Sequence, residues 1–88
     1  MLYSDLAIAP GKYIAEILEG FGMTQADLAR RMGRPATAIN EIIQGTKSIT
    51  PETALQLEVA LRVPAVFWLN LESQFALTKA HQLENSKN

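Results

Sequence analysis

Cysteine is absent from this chain, and histidine occurs once, at His81. The first absence excludes a disulfide framework and a thiolate metal site and suits a reducing interior, so a cytoplasmic address is expected. The second leaves no nucleophile–base pair and no His-rich metal site to assemble, and a carboxylate pair such as Glu16 with Glu19 falls on the outer face of a helix as ordinary acids. Neither an enzyme nor a cofactor is expected on these grounds. No apolar run is long enough to span a membrane. The stretch from Met1 to Pro10 carries an Asp but no Lys or Arg, so the basic segment of a secretory signal is missing, and residues 1–9 read as an N-terminal arm. Positive charge is in short supply too: the formal net is −1, with little of the surplus that binding to phosphate draws on.

What is present is apolar and helical. With 88 residues, 48% of them hydrophobic, the chain has room for one domain with one compact core. Helix punctuation divides it into five segments, with no competing strand pattern. Pro10 opens the first, Ile14, Ile17, Leu18 and Phe21 repeat at helical spacing, and Gly20 with Gly22 closes it. Thr24 is an N-cap for the second, with Asp27 three residues on in the manner of a capping box; Leu28, Ala29 and Met32 face inward and Gly33 ends it. Pro35 fits the first turn of a third helix of about ten residues, with Ile39, Ile42 and Ile43 inside and Gly45 after it. Thr50, Pro51 and Glu52 start a fourth, with Ala54, Leu57 and Leu61 inward, which Pro64 breaks. A fifth carries Phe67, Trp68, Leu71 and Phe75, which read as core or dimer anchors because aromatic side chains bury large areas and concentrate at interfaces. The globular part is expected over residues 10–78, with a polar tail over 79–88 that frays from His81. Five helices with short links predict an all-α orthogonal bundle.

The stretch from Gln25 to Gln44 carries the functional signal. Two helices that cross steeply through a short turn need a small residue at the crossing and a glycine in the turn, which Ala29 and Gly33 supply; Ile39, six positions further, locks the third helix on the second. This is a helix-turn-helix. On the third helix Ala36, Thr37, Asn40, Glu41 and Gln44 are left facing outward as one narrow, small and polar stripe that fits a major groove. Asn40 or Gln44 suits bidentate bonding to adenine, and Ala36 or the Thr37 methyl suits a thymine methyl; Glu41 either accepts from a cytosine amino group or points at solvent. Phosphate contacts are expected from Gln25 and the free N–H groups opening the second helix, from Arg34, and from the loop Thr46-Lys47-Ser48. Arg30 and Arg31 point about 100° apart and are not expected to contribute equally. From Thr24 to Ile49 the charge is net +2, leaving −3 for the rest, so the chain is electrically two-faced. The competing readings are a solvated polar helix face and scattered surface charge.

These residues resemble the Xre, lambda-repressor-like, helix-turn-helix family, and within it the HigA-type antitoxins. Pro10-Gly11 before an Ile-Leu helix, the run from Ile49 to Leu55, and Phe67-Trp68-Leu69-Asn70-Leu71 carry the closer likeness, which extends over about Pro10 to Leu77. The resemblance implies a homodimer that binds an operator in its own promoter and neutralises a small basic ribonuclease toxin of the RelE-like class. By position it places Pro35, Ala36, Thr37, Asn40 and Glu41 in the groove and Gln25 and Lys47 on phosphate. Arg34 stands at a turn position usually apolar in the family, and Glu41 where a basic residue is common. The mechanism expected is repression by occupancy, two third helices entering successive major grooves of a pseudo-palindrome about 34 Å apart. Glu16, Glu19, Glu58 and Glu72 are candidate toxin contacts or simply solvated acids. The alternatives are a free-standing repressor without a toxin and a protein-interaction bundle that no longer binds DNA.

Overall fold

Local chemistry sets where each helix begins and ends. In the computed structural model, which describes residues 8–86, the elements are α1 (Pro10–Phe21), α2 (Gln25–Met32), α3 (Ala36–Gln44), α4 (Pro51–Leu61) and α5 (Ala65–Ser86), with no strand among the described residues. Thr24 and Asp27 form a reciprocal capping box at α2: the Asp27 amide donates to Thr24 Oγ1 and the Thr24 amide to Asp27 Oδ2, both at 3.0 Å. Thr50 caps α4 by accepting from the Thr53 amide at 3.3 Å, with Pro51 as the first helical residue. Gly22, Gly33 and Gly45 close α1, α2 and α3 in the left-handed conformation, which costs least where there is no Cβ.

Several ends depart from the sequence reading. Pro35 sits just outside α3 as its N-cap, and Gly20 lies within α1. The fourth helix stops at Leu61 through a left-handed Arg62 at φ 63°, before Pro64 acts. The expected arm falls mostly on residues 1–7, outside the described part; Ala9 caps α1. α5 runs without interruption through residues 78 and 79 and continues to Ser86. After Pro64 the sequence has neither Gly nor Pro to break it, and Ala, Leu, Lys, Gln and Glu dominate its end.

The core is one cluster fed by every helix: Ile14 and Leu18 from α1, Leu28, Ala29 and Met32 from α2, Ile39 and Ile42 from α3, Ala54, Leu57, Ala60 and Leu61 from α4, and Trp68 from α5, with Ile49 from the loop. Phe21 is 62% exposed, against expectation. The turn at Gly22 explains it: the Met23 amide bonds back to the Leu18 carbonyl at 2.9 Å, which folds Met23 onto the helix end where Phe21 was expected to pack. Of the four expected anchors, Trp68 is fully buried, Leu71 and Phe75 are half-buried, and Phe67 is 40% exposed, its ring edge-on to Tyr13 and Trp68. The fold measures 45 × 24 × 23 Å, and the 22-residue α5, about 33 Å long, is its longest helix. No helix among the described residues is long and apolar enough to cross a membrane.

Candidate nucleic-acid interface

The angle between α2 and α3 is set by a few atoms. At the end of α2 the Arg34 amide reaches the Ala29 carbonyl at 2.9 Å and the Gly33 amide reaches that of Arg30 at 3.3 Å, so the chain reverses within one turn. Ala29 is buried at the crossing and Ile39 is buried beneath it, as the spacing requires. A further contact comes from α1. A Cβ on Gly11 would lie 2.5 Å from the Ile43 Cα and carbonyl oxygen and closer still to the Ile42 oxygen, so α1 and α3 touch backbone to backbone there. The helix with the polar stripe is thus seated on one side by α2 and on the other by α1.

Its free side is the one the spacing selects. Ala36, Thr37, Asn40, Glu41 and Gln44 are all exposed, as are Pro35 before them and Thr46, Lys47 and Ser48 after them, while Ile39 and Ile42 point into the core. Asn40 Nδ2 donates to Gln25 Oε1 at 3.3 Å, which joins the middle of α3 to the opening residue of α2. The Thr46 amide and hydroxyl both donate to the Glu41 carbonyl, at 3.0 and 3.2 Å, so the loop after α3 folds back on its last turn. The Ile49 amide donates to Glu72 Oε1 at 2.8 Å, tying the far end of that loop to α5. A polar helix face is therefore framed by the N-terminus of α2 and by a loop carrying Lys47.

The cations are engaged more than their number implies. Arg30 forms an ion pair with Asp27. Arg31 donates to the Ala60 carbonyl of α4 at 3.5 Å, so the two adjacent arginines diverge, as helix geometry demands. Arg34, expected at phosphate, gives its Nε to Gln56 Oε1 at 2.6 Å and lies 3.4 Å from Glu52, clamping the turn to α4 with only 20% of its side chain exposed. Lys47 stands 4.0 Å from Glu41, so the acid on the polar face draws on the loop's cation. The Asp27 carboxyl is held below its ordinary value of 3.8, first by the bond from the Thr24 amide and then by that from its hydroxyl, so the acid opening α2 is ionised at neutral pH. Glu58 and Glu72 serve as acceptors for backbone amides, of Ala65 at 3.0 Å and of Ile49, a role that residue type alone does not reveal.

Comparison with known proteins agrees with this geometry. A family profile described as helix-turn-helix matches residues 14–68. The chain is 32% identical over 65 residues to virulence-associated protein A of Dichelobacter nodosus, matching 73% of its own length and spanning 64% of that protein's. A structure described as a putative antidote protein of a plasmid maintenance system from Nostoc punctiforme superposes with a TM-score of 0.87 at 35% identity, over 91% of this chain and 88% of that one. The Pseudomonas aeruginosa antitoxin HigA, solved with the higBA promoter, superposes with a TM-score of 0.86 at 29% identity, over 93% and 90% of the two chains. The chain belongs to the Xre-like helix-turn-helix family, among whose solved members it is similar to HigA-type antitoxins and antidote proteins.

Proposed function

We propose that this chain is a sequence-specific, operator-binding antitoxin that acts as a homodimer, represses its own operon and neutralises a small basic toxin of the RelE-like ribonuclease class. The observation that carries the DNA-binding part is the division of α3 into a buried seat and an exposed stripe of Ala36, Thr37, Asn40, Glu41 and Gln44. Asn40 is the residue best placed to read a base. Its hydrogen bond to Gln25 holds the amide at the middle of the face, and Gln25 in turn opens the helix end that faces phosphate, an arrangement that orients one donor–acceptor pair toward adenine. Pro35, Ala36 and Thr37 supply small apolar contact at the start of the helix, and Gln44 and Glu41 extend the reading face along it. Phosphate would be held by the α2 N-terminus, Thr46, Lys47 and Ser48. Arg34 has a structural role first, because its guanidinium braces the turn against α4. The toxin part is supported by likeness to antitoxins and antidote proteins.

The test is a fluorescence-anisotropy titration on a duplex from the chain's own promoter and on a scrambled duplex, at two salt concentrations, with Asn40→Ala beside the native chain. Tighter binding to the promoter that salt weakens and that Asn40→Ala reduces by about 1–3 kcal/mol is the expected result. Equal, feeble binding to both duplexes overturns the repressor mechanism. Co-expression with the product of the adjoining open frame, read as capture of a small basic protein and loss of its ribonuclease activity, tests the toxin.

A further inference from the structure

The polar stripe on α3 carries an acid, and an acid has no favourable place in a groove walled by phosphate unless a donor meets it. Glu41 stands within that stripe, one helical turn after Thr37 and one before Gln44. Its Oε1 lies 4.0 Å from Lys47 Nζ, and among the described residues Lys47 is the one cation paired with a residue of the stripe. The arginines of the helix-turn-helix are engaged elsewhere: Arg30 with Asp27, Arg31 with the Ala60 carbonyl, Arg34 with Gln56. Backbone bonds set the reach of Lys47. The Thr46 amide and hydroxyl both donate to the Glu41 carbonyl, so the residue before Lys47 is fastened to the residue that bears the acid. Beyond Lys47, the Ile49 amide is held by Glu72. The loop is thus anchored on both sides, and what can change partner is the lysine's flexible side chain. The pair is also weak. Its side chains are 59% and 54% exposed, water and salt screen it, and an exposed pair of this kind is worth about fivefold or less in an equilibrium constant. A phosphate can take Lys47 away, provided that another donor then satisfies Glu41.

Cytosine is the base suited to supply that donor. Its major-groove edge presents the N4 amino group and no acceptor, whereas guanine and thymine present acceptors that repel a carboxylate, and the adenine amino group stands beside the N7 acceptor. We infer that Glu41 and Lys47 form an exchange switch that reads one cytosine in each half-site of the operator. Over cytosine, Glu41 accepts from the N4 amino group and Lys47 passes to a phosphate. Over any other base, Glu41 keeps Lys47 and that phosphate contact is lost. One base is therefore scored twice, by its own hydrogen bond and by a salt-dependent contact made elsewhere on the backbone. The switch rests on the operator-binding reading above, and it names the two side chains that turn base identity into electrostatic affinity. It also gives the acid a use: mismatched DNA meets one positive charge fewer, on a chain whose formal net is already −1.

The test is a titration of the native chain, Glu41→Ala and Lys47→Ala over a series of salt concentrations. The duplexes are the chain's own promoter and versions of it in which each C·G pair of the half-sites is exchanged in turn for T·A. Neither substitution removes the bonds at Thr46 and Ile49, because the Glu41 carbonyl and the loop amides remain. For the native chain, exchanging one cytosine position in both half-sites is expected to weaken binding about tenfold or more at low salt. The same exchange is expected to make the plot of log K against log salt shallower by about 0.9 for each half-site, the loss of one phosphate contact. In Glu41→Ala the exchange is expected to cost no more than about threefold, with the slope equally steep on both duplexes, since Lys47 then always reaches phosphate. In Lys47→Ala a preference for cytosine is expected to remain while the slope is equally shallow on both. Promoter-specific binding by the native chain with one slope for every exchanged duplex overturns the switch and leaves operator reading intact. A slope difference that survives in Glu41→Ala overturns the switch as well. Feeble binding to every duplex overturns the operator reading, and the switch with it.

Discussion

The backbone contact at Gly11 makes a prediction whose sign depends on three dimensions. Substituting alanine for glycine inside a helix ordinarily stabilises by up to about 1 kcal/mol, through propensity and a less flexible unfolded chain. The helix α1 offers that substitution twice. At Gly20 a Cβ would meet nothing within 4 Å, so Gly20→Ala should gain about 0.5–1 kcal/mol, or roughly 3–6 °C in Tm for a domain of this size. At Gly11 the new atom would lie 2.5 Å or less from three backbone atoms of Ile42 and Ile43, and ordinary contact begins at 3.4 Å. Backbone cannot rotate aside, so α1 and α3 must part by about 1 Å, and a gap of that size forfeits a quarter to a half of each dispersion contact it opens around Ile14, Ile39 and Ile42. Overpacking of this kind costs about 1–3 kcal/mol, occasionally more, and exceeds the propensity gain. Gly11→Ala should therefore lose about 1–3 kcal/mol net, or roughly 5–20 °C, and should weaken operator binding beyond its effect on folding because the displaced element carries the reading face. Urea and thermal unfolding of both variants, followed by far-ultraviolet circular dichroism, decide the matter. If Gly11→Ala stabilises as Gly20→Ala does, the close seating of α3 on α1 is wrong.

Further outcomes follow from the hydrogen bonds and charges around α3. Asp27 titrates below its ordinary 3.8 in the folded chain, so its contribution is complete above the unfolded value and is lost as pH falls through the lower folded one; the native chain should lose more stability than Asp27→Asn between about pH 4 and pH 2, with a constant difference above about pH 5, in urea midpoints taken across that range. Glu72→Ala leaves the amide of buried Ile49 without its acceptor and should cost about 1–3 kcal/mol, whereas Glu72→Gln keeps an oxygen in place and should cost far less; equal losses in unfolding midpoints refute the bond. Glu41→Gln removes a negative charge from the polar stripe and releases Lys47, so binding to scrambled duplex at low salt should tighten about threefold or more, an effect that fades as salt rises.

Helix order, the inner stripes and the outward face of α3 were legible in the sequence because each rests on spacing and on residues with a single physical virtue. Thr24 with Asp27 is a cap wherever a helix can follow, and Gly33 turns the chain wherever a left-handed residue is needed. What stayed hidden depends on partners distant in sequence. Arg34 is a free cation by type; only the packing of α4 brings Gln56 and Glu52 to it. Glu72 looks like any surface acid until the loop before α4 presents an amide to it. Phe21 has the periodicity of a core residue, but the turn at Gly22 puts Met23 in its place. Gly11 gives no sign in its own conformation, which is helical, and its reason lies wholly in the backbone of α3. A signal for Arg62 did exist: three helices close on glycine and the fourth has none where its pattern ends.

The nine residues of α3 divide cleanly between those that hold it and those that face outward, and this has a consequence for how such chains diversify. Ile39 and Ile42 fasten the helix, α1 meets its backbone at Gly11, and the outward positions have few obligations to the fold beyond the bond from Asn40 to Gln25. After a gene duplication, a copy can therefore exchange Ala36, Thr37, Glu41 or Gln44 almost without charge to stability, since surface substitutions away from caps and core seldom exceed about 0.5 kcal/mol. Two paralogues in one genome can drift to different operators while remaining interchangeable in every buried position. A lineage would then be recognised by what lies beneath the helix, and an individual by the few side chains on its far side.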